Sequence, residues 1–180
     1  MEVDEADLIK RSVAGDESAY RRLLEKHLPS LSNYVMRMMA NTAEADDIIQ
    51  ETFIRLWTRG NKFNPETARL TTWLHNIAHN LCIDHFRKYN RLVGDSVEQL
   101  IAEASGPEED LIQHGLVESI AHAMMSLPER QRSAIIMCHY QGLSNKDAAI
   151  VLNTSVDALE SLMARGRKKL RKLLESDNEN

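Results

Sequence analysis

From Leu8 to Leu174 the apolar residues of this 180-residue chain recur three and four apart, and no stretch alternates as a half-buried strand would. A chain patterned this way buries its apolar surface by packing helix on helix, so the expected fold class is all-α. Leu8, Ile9 and Val13 line a first short helix that Gly15 can end, and Asp16 can cap the next. Tyr20, Leu23, Leu24, His27 and Leu28 share one side of that second helix. Pro29 is expected to interrupt it before Leu31, Tyr34, Val35, Met38 and Met39 resume the pattern. Met36, Met38 and Met39 read as adaptable packing.

The stretch ADDIIQETFIRLW, Ala45 to Trp57, carries two ordered faces. Ile49, Phe53, Leu56 and Trp57 fall on one side of a helix. Asp46, Asp47, Gln50 and Glu51 crowd the rest of its first two turns, where carboxylates suit the positive helix N-terminus. Asn41 followed by Glu44 resembles a capping box. Gly60, Asn61, Asn64 and Pro65 then mark a loop, and Thr71 or Thr72 can cap a further helix with Trp73, Leu74, Ile77 and Leu81 as its buried stripe. Asn76, Asn80 and Arg87 recur on another side of it, joined by Lys88 and Arg91. Amides and guanidinium groups on one face suit base edges and phosphates.

Charge divides the chain. Residues 1–91 hold 13 acids and 13 bases; residues 92–129 hold eight acids and no Lys or Arg; residues 130–180 hold nine bases against six acids. The net charge of −5 therefore conceals a basic end, and a nucleic-acid partner would be met by local patches. Short helical turns are expected around Val97 to Ala104 and Leu111 to Met125, with SGPEED, Ser105 to Asp110, as the clearest break.

Beyond the acidic segment, Ser126 with Glu129 makes a capping pattern, and Gly142 can end the helix that follows. Ser144 with Asp147 caps a short helix containing Ala148, Ala149 and Leu152. Asn153 and Thr154 form a tight turn in which Asn tolerates the left-handed conformation. Thr154 with Asp157 opens a long helix through Leu159, Leu162, Met163 and Leu170. Helix, brief turn, helix is the helix-turn-helix arrangement, whose second helix enters the major groove. Six of the eight residues from Arg165 to Lys172 are basic, which suits phosphate contact.

Several function classes are excluded or disfavoured. No apolar run approaches the roughly 20 residues that span a bilayer, and the N-terminus shows no basic and apolar targeting pattern, so a cytoplasmic protein without membrane insertion is expected. Cys82 and Cys138 are isolated, so reduced thiols are expected. HNIAH at His75 to His79 has Asn76 where a zinc protease needs its general base, so no enzyme is expected. His75, His79 and Cys82 lie within about 60° of one another on an ideal helix, a spacing that could hold zinc. A DNA-facing or half-buried trio is the reading preferred, with no metal and no cofactor.

In this order the motifs resemble the extracytoplasmic-function group of the sigma-70 family of bacterial RNA polymerase factors. ADDIIQETFIRLW is similar to region 2.2, TTWLHNIAHNLCIDHFRK to regions 2.3 and 2.4, and LPERQRSAIIMCHYQGLSNKDAAIVL with SVDALESLMARGRKKL to region 4. The resemblance implies two small helical domains, a region 2 bundle over 1–91 and a region 4 helix-turn-helix over 118–180, joined by an acidic linker over 92–117. It implies that Asp47, Gln50, Glu51, Phe53, Leu56 and Trp57 meet core RNA polymerase, with a core role as the alternative for the last three. Lys62, Phe63 and Asn64 fall in the loop that captures a flipped promoter base, and Asn76, Asn80, Arg87 and Lys88 on the face that melts and holds the minus-ten element. Thr154, Ser155, Glu160, Ser161 and Arg165 match the reader of the minus-thirty-five element, with Arg167, Lys168 and Lys169 on phosphates. Glu160 and Leu162 depart from a pattern in which many relatives carry basic residues; a Glu can accept from the exocyclic amine of cytosine. The linker would follow the polymerase's positively charged channel, and an anti-sigma protein would hold the factor inactive. The rival readings are a sigma-like decoy that titrates an anti-sigma protein without initiating transcription, and a free-standing helix-turn-helix repressor. Whether the two domains separate or pack together in the free chain stays open at this stage.

Overall fold

A computed structural model describes residues 4–39, 41–93 and 119–177. The linker expected over 92–117 falls almost wholly outside these, as do the turns around Val97 to Ala104. Every regular element among the described residues is helical. Helices α1 (Glu5–Val13), α2 (Glu17–Met38), α3 (Thr42–Arg59) and α4 (Leu70–Val93) form the first domain, with a 3₁₀ turn, Gly60–Lys62, after α3. The second domain comprises α5 (residues 119–125), α6 (Glu129–Ile135), α7 (Asn145–Val151) and α8 (Val156–Asp177). Among the described residues no helix is long and apolar enough to cross a membrane.

Local chemistry sets most helix starts. Asp16 accepts hydrogen bonds from the backbone N–H groups of Ser18 and Ala19, which satisfies donors that α2 cannot pair internally. The Ser18 hydroxyl and Arg11 also donate to it, and together these hold its carboxyl well below the usual range. Asn41 caps α3 by accepting from the Ala43 N–H. Ser144 caps α7 by accepting from the Asp147 N–H and returns a bond from its hydroxyl to the Asp147 carboxylate. Asn153 adopts φ of 47° in the turn before α8, the left-handed conformation expected there.

Four expectations are corrected. Helix α2 runs unbroken through Pro29. Proline removes one backbone donor there, but Leu23, His27, Leu31, Tyr34, Val35 and Met38 are buried on both sides of it, and their packing outweighs one lost bond. Helix α4 starts at Leu70, so Thr71 and Thr72 lie inside its first turn. Ser126 caps nothing: its hydroxyl donates to the His122 carbonyl, and α6 begins after Pro128 without a side-chain cap. At α8 the cap is Ser155, which accepts from the Ala158 N–H, one residue beyond the Thr154 expected.

The apolar core is continuous through both domains, from Leu8 in α1 to Met163 in α8. Helix α6 widens at its end into a π-helical stretch, Ile136–Tyr140, closed by a Gln141 N–H to Ile136 C=O bond. Where α8 crosses α6, Gly166 lies so close that a Cβ there would stand 2.7 Å from Ile135 Cδ1. A side chain at this crossing would make the end of the Ile135 side chain move aside.

Candidate polymerase and promoter interfaces

Helix α3 separates its two sides sharply. Ile48, Ile49, Thr52, Phe53 and Leu56 face the core; Phe53 is 4% exposed and Leu56 fully buried, so neither reaches a partner from the folded domain. Trp57 is half-buried, edge-on to Tyr20 with ring centroids 4.9 Å apart, while the Tyr20 hydroxyl donates to the Phe53 carbonyl. On the outer side Asp47 and Gln50 are exposed, and Glu51 accepts from Arg55 Nε at 2.8 Å. Ile54 continues this side and is 47% exposed. Sequence reasoning missed Ile54 by seeking apolar residues on the core stripe alone. The available signal was an apolar residue off that stripe, three and four positions beyond Glu51 and Gln50.

The loop after α3 is ordered by its own polar groups. Asn64 Oδ1 accepts from the Glu66 N–H, and its carbonyl accepts from the Thr67 hydroxyl. Phe63 is half-buried and meets Trp73 edge-on at 5.8 Å, whereas Lys62 and Asn64 are exposed. Of the three residues named for base capture, the aromatic one is packed against its own domain.

Helix α4 departs furthest from the expected pattern. The stripe expected over Trp73, Leu74, Ile77 and Leu81 is turned, so that Leu70, Leu74, Ala78 and Cys82 are the buried apolar residues, with Thr72, His75 and His79 buried beside them. Thr72 and His79 are buried where the second domain packs on this helix, whereas His75 lies against the Tyr34 ring of α2, with centroids 5.3 Å apart. The Tyr34 hydroxyl of α2 lies 3.0 Å from His79 Nδ1 and 2.9 Å from Ser133 Oγ of α6. Arg69 and Thr72 both donate to the Asp147 carboxylate of α7, at 3.0 Å each. Burial alone would raise the Asp147 pKa, but hydrogen bonds from Ser144 and Thr72 and the Arg69 charge outweigh it and hold the carboxyl below its usual range. Burial, with Arg130 adding positive charge, pushes His79 down to about 4. The Arg132 guanidinium lies 5.2 Å from the Phe86 ring of α4.

Of the DNA face expected on α4, Asn80, Arg87 and Lys88 are exposed. Asn76 is half-buried: it accepts from Asn80 and donates to the Val151 carbonyl of α7 at 3.4 Å. Among the described residues no group of three or more His, Cys, Asp or Glu side chains could hold a metal ion. His75 Nδ1 donates to the Thr71 carbonyl, and burial pushes the Cys82 thiol up to about 12.

In the second domain α7 and α8 have the helix-turn-helix arrangement. Glu160, Ser161 and Arg165 are exposed on α8, Ser155 serves as its cap, and Thr154 is half-buried in the turn. Glu160 accepts from Asn145 of α7 at 3.1 Å. Arg167, Lys168 and Lys169 are exposed, but Lys169 donates to the Ser126 carbonyl and Arg167 approaches His139 at 3.4 Å. The outer side of α8 is thus exposed along Glu160, Ser161 and Arg165, with Glu160 tied to Asn145, and the basic run turns partly back to its own domain.

Comparisons with known proteins agree with this layout. The family descriptions "Sigma-70 region 2" and "Sigma-70, region 4" match residues 23–92 and 118–170. The RNA polymerase sigma factor NccH of Alcaligenes xylosoxydans xylosoxydans is 31% identical over 180 residues, covering 97% of this chain and 96% of the relative. The ECF RNA polymerase sigma factor SigW of Bacillus subtilis is 29% identical over 177 residues, covering 92% and 94%. Among solved structures, the sigma factor RpoE in complex with the anti-sigma factor NepR from Bartonella quintana superposes with a TM-score of 0.71 at 27% identity, covering 88% of this chain and 98% of that one. The chain belongs to the sigma-70 family of RNA polymerase factors, in its extracytoplasmic-function group.

Proposed function

We propose that this chain gives RNA polymerase its promoter choice by docking through the outer side of α3 and presenting two separate DNA-reading surfaces. As a family, sigma factors act in transcription initiation, and the mechanism needs no catalysis by this chain. Asp47, Gln50, Glu51 and Ile54 form the polymerase contact. Residues 1–91 and 118–180 serve as the two functional domains, tied by the acidic segment 92–117. Glu160, Ser161 and Arg165 read duplex at the minus-thirty-five element, with Lys168 and its basic neighbours on phosphates. Asn76, Asn80, Arg87 and Lys88 hold the melted minus-ten strand, and Lys62, Phe63 and Asn64 take the flipped base. Unstacking that base costs a few kcal/mol, which contacts to its edge and face must offset.

The observation that carries the reading is Ile54. Ile54, 47% exposed beside the exposed Asp47 and Gln50, gives this side of α3 an apolar centre with a polar surround, an arrangement in which a few central anchors carry most of the binding energy. Its neighbours Phe53 and Leu56 are buried in the core and leave Asp47, Gln50 and Ile54 as the exposed residues of this side. By analogy with RpoE held by NepR, an anti-sigma protein is the expected inhibitor. A decoy that only titrates such a protein would need neither the exposed reader on α8 nor the basic end of α4.

The test is a pull-down of core polymerase by Asp47→Arg/Gln50→Ala and by Ile54→Glu, each with unchanged helicity. Binding should weaken by about tenfold or more, the effect of losing one interface anchor. Undiminished binding by both folded variants would make the outer side of α3 merely structural.

A further inference from the structure

We propose that Glu160 is the base-discriminating residue of α8, held in place by Asn145 of α7, and that the minus-thirty-five element of this chain's promoters must present a cytosine amine to it. This deepens the assignment of α8 to the minus-thirty-five element and rests on it.

Charge on α8 divides at its middle. Residues 154–164, the turn and the N-terminal half that a recognition helix brings to base edges in the major groove, carry Asp157 and Glu160 and no Lys or Arg. The bases begin at Arg165. A carboxylate brought between two rows of phosphates is repelled unless a donor meets it there. It therefore adds little to general affinity and acts by selecting among base pairs.

The structure ties this carboxylate down at one oxygen. A carboxylate only accepts, so the Asn145 carboxamide turns its nitrogen to Glu160 Oε1, at 3.1 Å, and Oε2 is left to accept from a ligand. Asn145 is half-buried at the first position of α7, a helix fixed by the Ser144 cap and by buried Ala148, Ala149 and Val151. A long side chain held in this way loses less freedom when its second oxygen meets a base. The partner is also neutral. Glu51 on α3 is paired with Arg55, whereas the amide beside Glu160 leaves its charge intact.

Base chemistry names the ligand. In the major groove guanine shows only acceptors, and thymine an acceptor and a methyl group, so a carboxylate rejects both. Adenine offers its N6 amine beside the N7 acceptor, which would repel the carboxylate. Cytosine offers the N4 amine with no acceptor next to it in that groove. Glu160 is therefore satisfied by cytosine and left unpaired by the alternatives.

The test uses core polymerase reconstituted with the full chain, on a chain-dependent promoter whose base pairs around the minus-thirty-five element are randomised. Sequenced transcripts report the preference at each position. The wild type should require C·G at one position, by about tenfold over the other pairs. Glu160→Gln, close to isosteric at an exposed site, should move the preference at that position to A·T, because a carboxamide pairs with adenine N6 and N7. Asn145→Ala should keep C·G but narrow its margin, without changing the salt dependence that counts phosphate contacts. Circular dichroism checks that both variants keep their helicity. Identical preferences in the wild type and folded Glu160→Gln overturn the proposal, as does a Glu160-dependent position that favours any pair other than C·G. An unchanged margin in Asn145→Ala overturns the positioning role. The assignment of α8 fails separately, and takes the proposal with it, if chain-dependent transcription shows no preference at any randomised position.

Discussion

Acid should loosen this protein through His79. The imidazole is 6% exposed between Tyr34 and Ser133, with the Arg130 charge of α6 acting on it and His75 and Cys82 nearby on its own helix. The named neighbours offer it no carboxylate, so protonation in place would bury an uncompensated cation. Its pKa stands at about 4 in the folded protein against an ordinary 6.5. Between these values the unfolded chain binds more protons than the native one. Stability is therefore complete above pH 6.5 and is lost as pH falls toward 4. The full shift corresponds to about 3 kcal/mol, and the part realised between pH 7 and pH 5 to about 2 kcal/mol. His27 and His75 are also held low, chiefly by burial, so the wild-type slope contains their share. The informative comparison is with His79→Gln, which keeps an amide in the seam and removes only the titration. Urea unfolding at both pH values should show the wild type losing about 2 kcal/mol more than the variant on acidification. Equal losses in the two proteins would refute the reasoning, because His79 would then be protonated as easily inside the fold as outside it.

Three further outcomes follow from packing and backbone geometry. Phe53→Ala, at a residue 4% exposed, should cost about 3–5 kcal/mol in denaturant unfolding, the mark of a core residue; a loss under about 1 kcal/mol would return Phe53 to the interface. Gly166→Val drives a branched side chain into Ile135 at the α6–α8 crossing and should cost about 1–3 kcal/mol, read as a lowered melting temperature, with DNA binding weakened in step. Asn153→Ala, at φ of 47°, should cost about 1 kcal/mol, whereas Asn153→Gly should be close to neutral; equal losses would mean that the side chain matters more than the backbone conformation.

Elements held by local chemistry were legible in the sequence. Asp16, Asn41 and Ser144 cap because a short oxygen-bearing side chain sits where backbone donors lack partners, and Asn153 marks a turn only a few residue types tolerate. The stripes of α1 and α2 were legible for the same reason: their burial is periodic. What failed depends on distant partners. Pro29 signalled a break, and the packing on both sides of it prevailed. Helix α4 was misread because its periodicity sums two interfaces, an apolar one within its domain and a polar one against α6 and α7. Composition assigns Thr72 and His79 to the surface, yet both are buried where the second domain docks, while His75 is buried against Tyr34 of α2. Of the proposed sites, the exposure of Asp47 and Gln50 on α3 was legible, while that of Ile54 was not, because an exposed apolar residue is visible only once the core is known.

The proposed direction of RNA polymerase to promoters by this chain is open to direct experiment. Its most direct test is run-off transcription with core polymerase on fragmented genomic DNA, with and without the purified chain. Discrete transcripts should appear that require the chain and disappear with Asp47→Arg/Gln50→Ala. Binding to core polymerase with no chain-dependent transcript from any fragment would contradict it.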